Sequence, residues 1–389
     1  MIEKENVRIV HVEASSRCNS QCPMCSRYTG HGFVQPDLAE GDLSVDVFYK
    51  LFTKEFTSQL EHVYFSGVYG DPCLNKKLPE FVKYLVDHGC GSVSIDTNGG
   101  YRNEEWWAEL AQVIGKKGYV IFGLDGLEDT NHLYRQGTVW KKIMENARAF
   151  IAAGGRARWD YIVFGHNEHQ VEEARALAES MGFEKFNIKK SNRFFSNTKG
   201  VVKANHQAGN RKGGTTQMLS MPTNPEYQNS ALKQLESLSK DKGKVKIDFM
   251  TTVAELEGKI GQQKFNLDPA KKKDMEKYWD SVEIKCKVAE EKSIYITAEG
   301  YLQPCCWTAG QMYVWYWKEK GGQIWNAINE AGLDTLDLKQ HSIKDVVEGK
   351  FMQEIIPNSW NKNSCAEGKL AVCAKTCGTK YDAFSEQFK

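Results

Sequence analysis

The chain has 389 residues, of which 41% are hydrophobic and 26% are charged, so it can bury one large core or two modest ones. Its formal net charge is +1 with histidine neutral, which excludes a strong overall attraction for nucleic acid and leaves only local basic patches. No apolar run approaches the roughly 18 residues that a membrane-spanning helix needs, and the first residues, Met1–Asn6, lack a signal-peptide pattern. We therefore expect a cytoplasmic protein whose 11 cysteines indicate metal binding rather than disulfide bonds.

The first half of the chain alternates short apolar runs with amphipathic segments. Six strands are predicted, at Val7–Val12, His62–Ser66, Ser92–Asp96, Tyr119–Leu124, Trp159–Phe164 and Lys185–Lys189. Helices are predicted between them, at Val45–Thr57, Leu78–His88, Asn103–Lys116, Thr138–Ala153 and Glu168–Met181. Alternating strands and helices form parallel βα units, and right-handed crossovers would curl six of them into a partial (β/α)6 TIM-like barrel. The predicted fold class is therefore α/β, with functional sites at the carboxyl ends of the strands.

Three cysteines follow the first strand in the pattern Cys18-x3-Cys22-x2-Cys25. Three thiolates can ligate three irons of a [4Fe–4S] cluster and leave the fourth iron without a protein ligand, whereas clusters that only carry electrons normally have four cysteines. An open coordination position is where a metal centre performs chemistry. A zinc site completed by His11 or His31 is an alternative for the same cysteines, and a disulfide framework is another.

Further motifs stand at the ends of the next three predicted strands. They are Ser66-Gly67-Val68-Tyr69-Gly70-Asp71-Pro72, then Asp96-Thr97-Asn98-Gly99, then Leu124-Asp125-Gly126 with Tyr134-Arg135 beyond it. Glycine lets the backbone approach a ligand closely, and a carboxylate such as that of Asp71 can accept a hydrogen bond from an ammonium group. Each motif alone is also ordinary turn chemistry. Their occurrence at three consecutive strand ends favours a shared site.

Together with the cysteine spacing, these motifs resemble the radical S-adenosylmethionine (radical SAM) superfamily. The resemblance implies that Cys18, Cys22 and Cys25 hold a [4Fe–4S] cluster whose open iron is chelated by SAM. It also implies a flavodoxin- or ferredoxin-type electron donor and a 5′-deoxyadenosyl radical that abstracts a hydrogen atom from the substrate. The residues that it assigns to SAM binding are Met24, Gly67, Tyr69, Gly70, Asp71, Thr97, Asn98, Asp125 and Arg135.

Two positions depart from the pattern of the superfamily. The usual Gly-Gly-Glu is replaced by Gly-x-Tyr-Gly-Asp-Pro at Gly67–Pro72, and Met24 stands where an aromatic residue commonly lies near the adenine. A methionine side chain can still pack on an aromatic ring.

The regular pattern ends near Asn187. From Asn187 to Pro225 the sequence contains seven Lys or Arg and no acidic residue, with glycine and asparagine between them. This segment fits a solvated linker, or alternatively a flap that binds phosphate or carboxylate groups. Helices are predicted at Asn229–Ser239 and from Asp268 to Val282.

A second group of cysteines surrounds a predicted β-hairpin formed by Ser293–Thr297 and Tyr301–Gln303. The arrangements Cys286-x13-Gly300-x4-Cys305 and Cys373-x3-Cys377 resemble the SPASM/twitch domain of many radical SAM enzymes. The resemblance implies one auxiliary [4Fe–4S] cluster on Cys286, Cys305, Cys373 and Cys377, since a full SPASM domain with two clusters needs more cysteines. A zinc site on the same residues is the alternative.

The remaining cysteines and aromatic residues have weaker signals. Cys306 and Cys365 are spare candidates for the auxiliary site, while Cys73 and Cys90 fit buried thiols, with Cys73 also considered as a hydrogen donor. An aromatic run fits core packing better than a substrate platform; its members are Trp307, Tyr313, Trp315, Tyr316, Trp317 and Trp325. The predicted domains are a radical SAM partial barrel at 1–193, a basic polar insertion at 194–281 and a SPASM/twitch-like domain at 282–389.

The substrate is left open by these observations. A small phosphorylated or nucleotide-like metabolite fits the basic segment, and its oxidation would be aided by the auxiliary cluster. A ribosomal peptide undergoing crosslinking, thioether formation or epimerisation is the alternative, and modification of nucleic acid is a further one. A non-catalytic iron–sulfur or zinc scaffold remains a separate class. No residue is predicted as general base.

Overall fold

The computed structural model describes residues 1–29, 32–196, 201–202, 205–209, 216–230, 279–314 and 321–379. Its strands are β1 (Ile9–Val12), β2 (His62–Phe65), β3 (Val93–Thr97), β4 (Gly118–Gly123), β5 (Ala157–Ile162), β6 (Lys185–Lys189), β7 (Phe195–Ser196), β8 (Val201–Val202), β9 (Asn205–Gly209), β10 (Thr216–Ser220), β11 (Ser293–Ile296) and β12 (Leu302–Gln303).

The α-helices of the barrel region alternate with its strands. They are α1 (Val45–Leu51), α2 (Lys54–Ser58), α3 (Leu78–Asp87), α4 (Glu104–Ile114), α5 (Asn131–Tyr134), α6 (Trp140–Ala152) and α7 (Val171–Met181). Those of the C-terminal region are α8 (Lys287–Glu290), α9 (Cys306–Met312), α10 (Gln323–Ala331), α11 (Ile343–Val347), α12 (Ile356–Trp360) and α13 (Ala371–Cys377). Short 3-10 turns lie at Lys4–Asn6, Pro72–Leu74, Gly115–Lys117, Glu168–Gln170, Pro225–Tyr227 and Leu333–Leu336, and a π-helical turn lies at Phe351–Ile355.

One eight-stranded sheet organises the fold, in the order β12-β11-β1-β2-β3-β4-β5-β6. Strands β1 to β6 are parallel neighbours in chain order, as βα units require. The outer strands β6 and β12 stay apart in this order, so the sheet is an unclosed partial barrel. The α/β class and the six predicted barrel strands are confirmed.

The predicted hairpin is confirmed and has a further role in the sheet. Strand β12 pairs antiparallel with β11, and Gly300 in the connecting turn has a φ of 92°, which favours glycine. Strand β11 also pairs in parallel with β1, with Tyr295 opposite His11. The sheet therefore crosses the domain boundary predicted at residue 282, because a strand from the C-terminal region pairs with the β1 edge of the barrel sheet.

Two predictions of local structure need correction. The single helix predicted at Val45–Thr57 is two helices, because Phe52 leaves the helical conformation and the Thr53 side chain caps a new helix by accepting from the Phe56 N–H. The basic segment contains two short antiparallel ribbons, β7 with β8 and β9 with β10, where loop was expected. The glycine- and asparagine-rich composition suggested that the backbone N–H and C=O groups of this segment would face solvent. In the short strands these groups pair with a neighbouring strand instead.

Several predicted features lie wholly or partly beyond the described ranges. They include most of the helices predicted at 229–239 and 268–282, and three members of the aromatic run, Trp315, Tyr316 and Trp317. Among described residues, Tyr313 and Trp325 belong to the main hydrophobic core, as predicted. In the parts of the chain that the structure describes, no helix has the length and apolar character needed to cross a bilayer.

The two faces of the sheet differ in chemistry because side chains alternate along each strand. One face packs against the helices and is fully buried, with Val10, Val63, Phe65, Ile95 and Phe122 among its members. The other face lines the inside of the partial barrel and is polar; it carries His11, Tyr64, Ser94, Asp96, Asp160, Lys189 and Tyr295. The rim above this inner face holds the loops that sequence analysis singled out.

Candidate active site and cysteine centres

The cysteine loop, residues 18–25, leaves the carboxyl end of β1 and lies against the loops that follow β3 and β4. The Asn98 side chain donates from Nδ2 to Asn19 Oδ1 at 2.9 Å, and the same nitrogen is 3.9 Å from Cys18 Sγ. The Gln21 N–H donates to the Gln136 carbonyl oxygen at 2.6 Å. The predicted rim motifs therefore meet the cysteine loop in space.

Asp125 and Arg135, both predicted to contact SAM, form an ion pair beside the cysteine loop. Arg135 Nε donates to Asp125 Oδ2 at 2.6 Å, and Arg135 Nη1 lies 3.9 Å from Cys22 Sγ. Burial disfavours the charge of Arg135, but the Asp125 carboxylate holds its pKa above the usual value. The pair thus maintains a positive charge next to one of the three thiols.

The Asp71 carboxylate is occupied by groups of the protein. It accepts from Thr97 Oγ1 at 2.9 Å, from the Asn98 N–H at 2.8 Å and from the Cys73 N–H at 3.0 Å. These bonds join the loop after β2 to the end of β3. Burial raises the pKa of Asp71, and the backbone donors oppose that rise. The arrangement favours a role for Asp71 and Thr97 in holding the rim together, and their contact with SAM stays a prediction.

The two glycines of the β2 loop are required by close backbone packing. A Cβ on Gly67 would lie 2.1 Å from the Gly70 carbonyl oxygen, and one on Gly70 would lie 1.9 Å from that of Ser15. Real side chains cannot make such contacts, so only glycine fits at either position. The close approach brings the β2 loop onto the chain segment that leads into the cysteine loop.

Glu13 is a site residue that the sequence analysis missed. It follows β1 directly and is only 1% exposed. One carboxylate oxygen accepts from the N–H groups of Tyr69 at 2.6 Å and Gly70 at 3.1 Å, and the other accepts from the Tyr295 hydroxyl at 2.7 Å. Burial raises the pKa of Glu13 to about 7, against the effect of these donors. Its place at a strand end, next to the cysteines, was the signal available in the sequence.

Arg27 is a second missed residue, just beyond the cysteine loop. Its guanidinium is buried and donates from Nη1 to the carbonyl oxygens of Ser16 and of Tyr69, the latter at 3.1 Å, and it pairs with Glu40. These contacts join the cysteine loop to the β2 loop from the side opposite to Glu13.

Met24 lies in a small apolar cluster next to the cysteines. The cluster consists of Cys22, Met24, Tyr134, Phe164, Phe194 and Leu219. Arg193, from the basic segment, donates to the Met24 carbonyl oxygen. Contact between Met24 and the adenine of SAM stays a prediction, and the apolar surroundings exclude water from one side of the cysteine loop.

The three thiols of the cysteine loop are suited to an iron–sulfur cluster. Burial is the main cause that raises the pKa of Cys18, and the charges of Asp71, Cys22 and Cys25 add to the rise. Among described residues, no three His, Cys, Asp or Glu side chains are close enough to enclose a single metal ion. Three cysteines in one short loop are the donor set from which an iron–sulfur cluster with one open iron is built, and their ligation of such a cluster stays a prediction.

His11, one of the two histidines considered for zinc, is committed to the inner face of the sheet. Its ring stacks on Tyr64 at 4.2 Å and packs edge-on against Tyr295 at 4.5 Å. Its Nε2 is 2.6 Å from the Ser66 carbonyl oxygen, so this nitrogen carries the proton and donates. Burial lowers the pKa of His11 to about 4, which keeps the ring neutral. His31 lies outside the described residues.

Ionisable groups on the inner face of the sheet form a polar layer below the rim. Lys189 Nζ is 2.5 Å from Asp160 Oδ2, and Asn187 Nδ2 donates to Asp160 Oδ1 at 2.8 Å. Burial raises the pKa of Asp96 to about 6, although the nearby charge of Lys189 and the Ser66 side chain oppose the rise. Asp96, Lys189 and Tyr64 are all partly exposed. This layer offers hydrogen-bond donors, acceptors and a proton acceptor to a polar ligand.

The four cysteines predicted as auxiliary ligands line one cavity in the C-terminal region. Cys286 precedes α8, Cys305 stands at the start of α9, and Cys373 and Cys377 are four residues apart on one face of α13. Apolar side chains complete the walls; they include Ile284, Pro304, Trp307, Ile356, Trp360 and Val372. Trp307 lines this cavity and is half-buried, and its place in the predicted aromatic core stays a prediction.

The thiols of this cavity are close neighbours. Cys286 and Cys377 share a side-chain hydrogen bond, which is the main cause that raises the pKa of Cys286. Burial raises the pKa of Cys305 to about 11, and Cys377 adds to the rise through charge repulsion. The raised pKa values favour neutral thiols in this cavity, and the positive charge of a bound metal would favour thiolates instead. Four cysteines around one cavity are a donor set for either the auxiliary cluster or the zinc site, and the cluster stays a prediction.

The spare cysteines lie outside that cavity wall. Cys365 is joined by its backbone N–H to Asp280 and by its carbonyl oxygen to Gln323 Nε2. Cys306 follows Cys305, but its charge neighbours include Glu13, on the inner side of the barrel. Cys73 is fully buried in the main hydrophobic core, as is Cys90, and this position favours a structural role for Cys73 over hydrogen donation.

The chain is similar in sequence to one family and to a curated protein. The sequence profile of the radical SAM superfamily matches residues 12–178. A curated relative, the tungsten-containing aldehyde ferredoxin oxidoreductase cofactor-modifying protein of Pyrococcus furiosus, is 28% identical over 134 residues. The aligned part makes up 34% of this chain and 35% of the relative, so it spans about a third of that protein.

Two solved structures resemble the chain over most of its length. One, of polyhistidine-tagged anSMEcpe with bound AdoMet, has a TM-score of 0.49 and 14% identity, and the match covers 98% of this chain and 92% of that one. The other, of Streptococcus suis SuiB bound to the precursor peptide SuiA, has a TM-score of 0.49 and 14% identity, with coverage of 99% and 77%.

Proposed function

We propose that this chain, a radical SAM enzyme whose superfamily domain spans residues 12–178, catalyses the oxidation of a small polar metabolite with the aid of an auxiliary cluster. Cys18, Cys22 and Cys25 would hold the [4Fe–4S] cluster that binds SAM. Cys286, Cys305, Cys373 and Cys377 would hold a second [4Fe–4S] cluster in a SPASM/twitch-like region. A flavodoxin- or ferredoxin-type protein would be the external electron donor.

The chemistry divides between the cofactors and the residues of this chain. When bound, SAM and its cluster supply the electron and the 5′-deoxyadenosyl radical that removes a hydrogen atom from a substrate, which no amino-acid side chain provides. The rim loops would orient SAM, and the Arg135–Asp125 pair would keep a cation beside Cys22. Asp96, with a pKa of about 6, would accept a proton from a substrate hydroxyl.

The observation that carries the proposal is the link between the two cysteine centres through one sheet. Strand β1 leads into the cysteine loop and pairs along its whole length with β11. Strand β11 in turn pairs with β12, which leads directly into Cys305. Both cysteine sets are therefore held against the same partial barrel. A second redox centre in this position suits a net two-electron oxidation, because a substrate radical needs an electron acceptor.

The polar inner layer supports a small metabolite as the substrate. Asp96, Lys189 and Tyr64 offer a carboxylate, an ammonium and a hydroxyl group within the partial barrel. Arg193, held at Met24, and the adjoining basic segment are suited to a phosphate group. The curated relative is called a cofactor-modifying protein, which also supports a small cofactor-like substrate.

Iron counting and SAM cleavage together test the proposed centres. The protein would be purified anaerobically and reconstituted, and 5′-deoxyadenosine release from SAM would be measured under dithionite. We expect about eight irons in wild type and about four in a Cys18/Cys22/Cys25→Ala variant, with SAM cleavage lost only in that variant. A Cys286/Cys305/Cys373/Cys377→Ala variant should also retain about four irons and still cleave SAM.

Other outcomes would contradict the proposal. Zinc in place of iron in either centre would identify that centre as a zinc site. Full iron without SAM cleavage in wild type would identify a non-catalytic scaffold. Stimulation of 5′-deoxyadenosine release by synthetic peptides, but not by the dialysable fraction of an anaerobic cell extract, would favour peptide modification over oxidation of a metabolite.

A further inference from the structure

Glu13 occupies an unusual position for a carboxylate. It is almost completely buried, and among the residues that the structure describes no direct ion pair neutralises it; Arg27 acts on it only as a nearby charge. Burying a charge without a close partner is expensive, and an apolar or amide side chain in this place would cost less. The hydrogen bonds of Glu13 offset part of this cost, and its partners show which segments those bonds hold together.

The first two partners are consecutive backbone N–H groups of the β2 loop, Ser66–Pro72, which is the glycine-rich loop of this site. Tyr69 N and Gly70 N both donate to the same oxygen of Glu13, at 2.6 and 3.1 Å. Because a trans peptide is planar, each N–H directed at Glu13 turns the preceding carbonyl away from it. The carbonyl oxygens of Val68 and Tyr69 therefore face away from Glu13, and that of Tyr69 accepts from Arg27 Nη1 at 3.1 Å.

The third partner comes from the C-terminal region. The Tyr295 hydroxyl donates to the second oxygen of Glu13 at 2.7 Å, across 282 positions of sequence. The same loop is held a second time from that region, because the Tyr69 hydroxyl donates to the Gly310 carbonyl oxygen at 2.7 Å. Tyr69 also packs edge-on against Tyr313 at 5.1 Å. The glycine-rich loop is thus fixed jointly by β1 and by the region that carries Cys305.

We propose that Glu13 is a positioning residue for SAM, which sets the Val68 carbonyl group of the glycine-rich loop to receive the SAM ammonium group and makes SAM binding depend on Tyr295. This inference rests on the proposed function, since it requires SAM to bind at the rim. Asp71 cannot readily perform the task, because its carboxylate already accepts from Thr97, Asn98 and Cys73. Glu13 acts on SAM only through the backbone that it orients.

The test uses Glu13→Gln and Tyr295→Phe in the reconstituted full-length protein. Glutamine keeps the shape of the Glu13 side chain but loses its charge-assisted hydrogen bonds. Phenylalanine removes the Tyr295 hydroxyl, which donates to Glu13 Oε2 at 2.7 Å. We expect the Kd for SAM to rise about tenfold in Glu13→Gln and about threefold in Tyr295→Phe. The 5′-deoxyadenosine rate at saturating SAM should stay within about twofold of wild type in both. Tyr49→Phe, which removes a surface hydroxyl bonded to Glu80 at 2.8 Å, is the matched control.

A spectroscopic measurement separates positioning from simple structural support. SAM binding should change the electron paramagnetic resonance signal of the reduced cluster. In both variants this change should need a higher SAM concentration than in wild type, and the iron content should be unchanged. An unchanged Kd with a lowered melting temperature would overturn the proposal, and Tyr295→Phe decides the matter if Glu13→Gln does not fold. Failure of wild type to bind SAM at all would refute the proposed function instead, so the two failures are distinguishable.

Discussion

The two cysteine centres of this protein are built in opposite ways. The first takes all three thiols from one loop, Cys18 to Cys25, so a short stretch of sequence contains the complete proposed ligand set. The second gathers Cys286, Cys305 and the Cys373/Cys377 pair from three separated segments around one cavity. The first centre depends on neighbouring loops mainly for its orientation, whereas the second exists only when the C-terminal region has folded. Local and non-local sites should therefore respond differently to the same kind of substitution.

The largest expected effect comes from removing a thiol of the non-local centre. Cys373→Ala should lower the iron content from about eight to about four per chain, because a cluster with three ligands in a cavity built for four is held weakly. SAM cleavage under dithionite should persist, since the cysteine loop is intact. Iron and sulfide analysis with 5′-deoxyadenosine assays measures both. Cys365→Ala, whose thiol lies off the cavity wall, should retain about eight irons. Equal iron loss in the two variants would refute the ligand assignment.

A substitution in the rim loops should impair SAM binding beside the cysteine loop and leave the C-terminal cysteine cavity unchanged. Gly70→Ala would place a Cβ 1.9 Å from the Ser15 carbonyl oxygen, so the β2 loop must move away from the cysteine loop. We expect a loss of about 3 kcal/mol in the free energy of unfolding and loss of SAM binding. Gly41→Ala is the control, because nothing lies within 4 Å of its added Cβ. Thermal melts and SAM titrations measure the two effects, and normal SAM binding by Gly70→Ala would contradict the packing argument.

The contact between the two regions at Glu13 predicts a pH effect on stability. Burial raises the pKa of Glu13 to about 7 from an ordinary value of 4.5, so the folded state binds this proton more tightly than the unfolded state. The resulting stability is fully present below pH 4.5 and is lost as the pH rises through about 7. The linked free energy is about 3 kcal/mol. Unfolding curves from about pH 4.5 to about pH 8 should show wild type losing this stability relative to Glu13→Gln. If the free energies of unfolding of wild type and Glu13→Gln changed equally with pH, the prediction would be contradicted.

The smallest effect is expected at Asp71, within the rim itself. Asp71→Asn replaces one acceptor oxygen by an amide donor, which then faces either the Cys73 N–H or the Asn98 N–H. We expect a loss of about 2 kcal/mol in the free energy of unfolding, because donors that now lack an acceptor are buried. The Kd for SAM should change less than about threefold, measured by titration of the reconstituted protein. A large rise in Kd with unchanged stability would instead support direct contact between Asp71 and SAM.

Much of the barrel and of its first centre was predictable from sequence because the deciding interactions are local. Alternating apolar runs predicted the six parallel strands, with Lys185–Lys189 at its observed bounds. A helix was predicted from Asn103, and the Asn103 side chain caps α4 there by accepting from the Trp106 N–H. The cysteine spacing and the three rim motifs identified the loops that meet at Cys18 and Cys22. Each of these signals lies within a few residues of the structure that it predicts.

Interactions between distant segments required the tertiary structure. The pairing of β11 with β1 extends the barrel sheet with a strand from residues 293–296, which no local pattern announces. The bonds that occupy Asp71, and those that join Glu13 to Tyr295, each link segments far apart in the chain.

The sequence by itself determined which residue types were available and, to within two residues, where each barrel strand would end, because strand periodicity and turn chemistry act over short distances. Only the tertiary structure decided which carboxylate accepts hydrogen bonds from which backbone N–H groups. Asp71 bears the carboxylate in the motif, yet it turns toward β3, while Glu13 takes the N–H groups of the glycine-rich loop. The physical reason is that a buried hydrogen bond needs a donor and an acceptor at matching positions, and those positions are set by the packing of whole strands and loops.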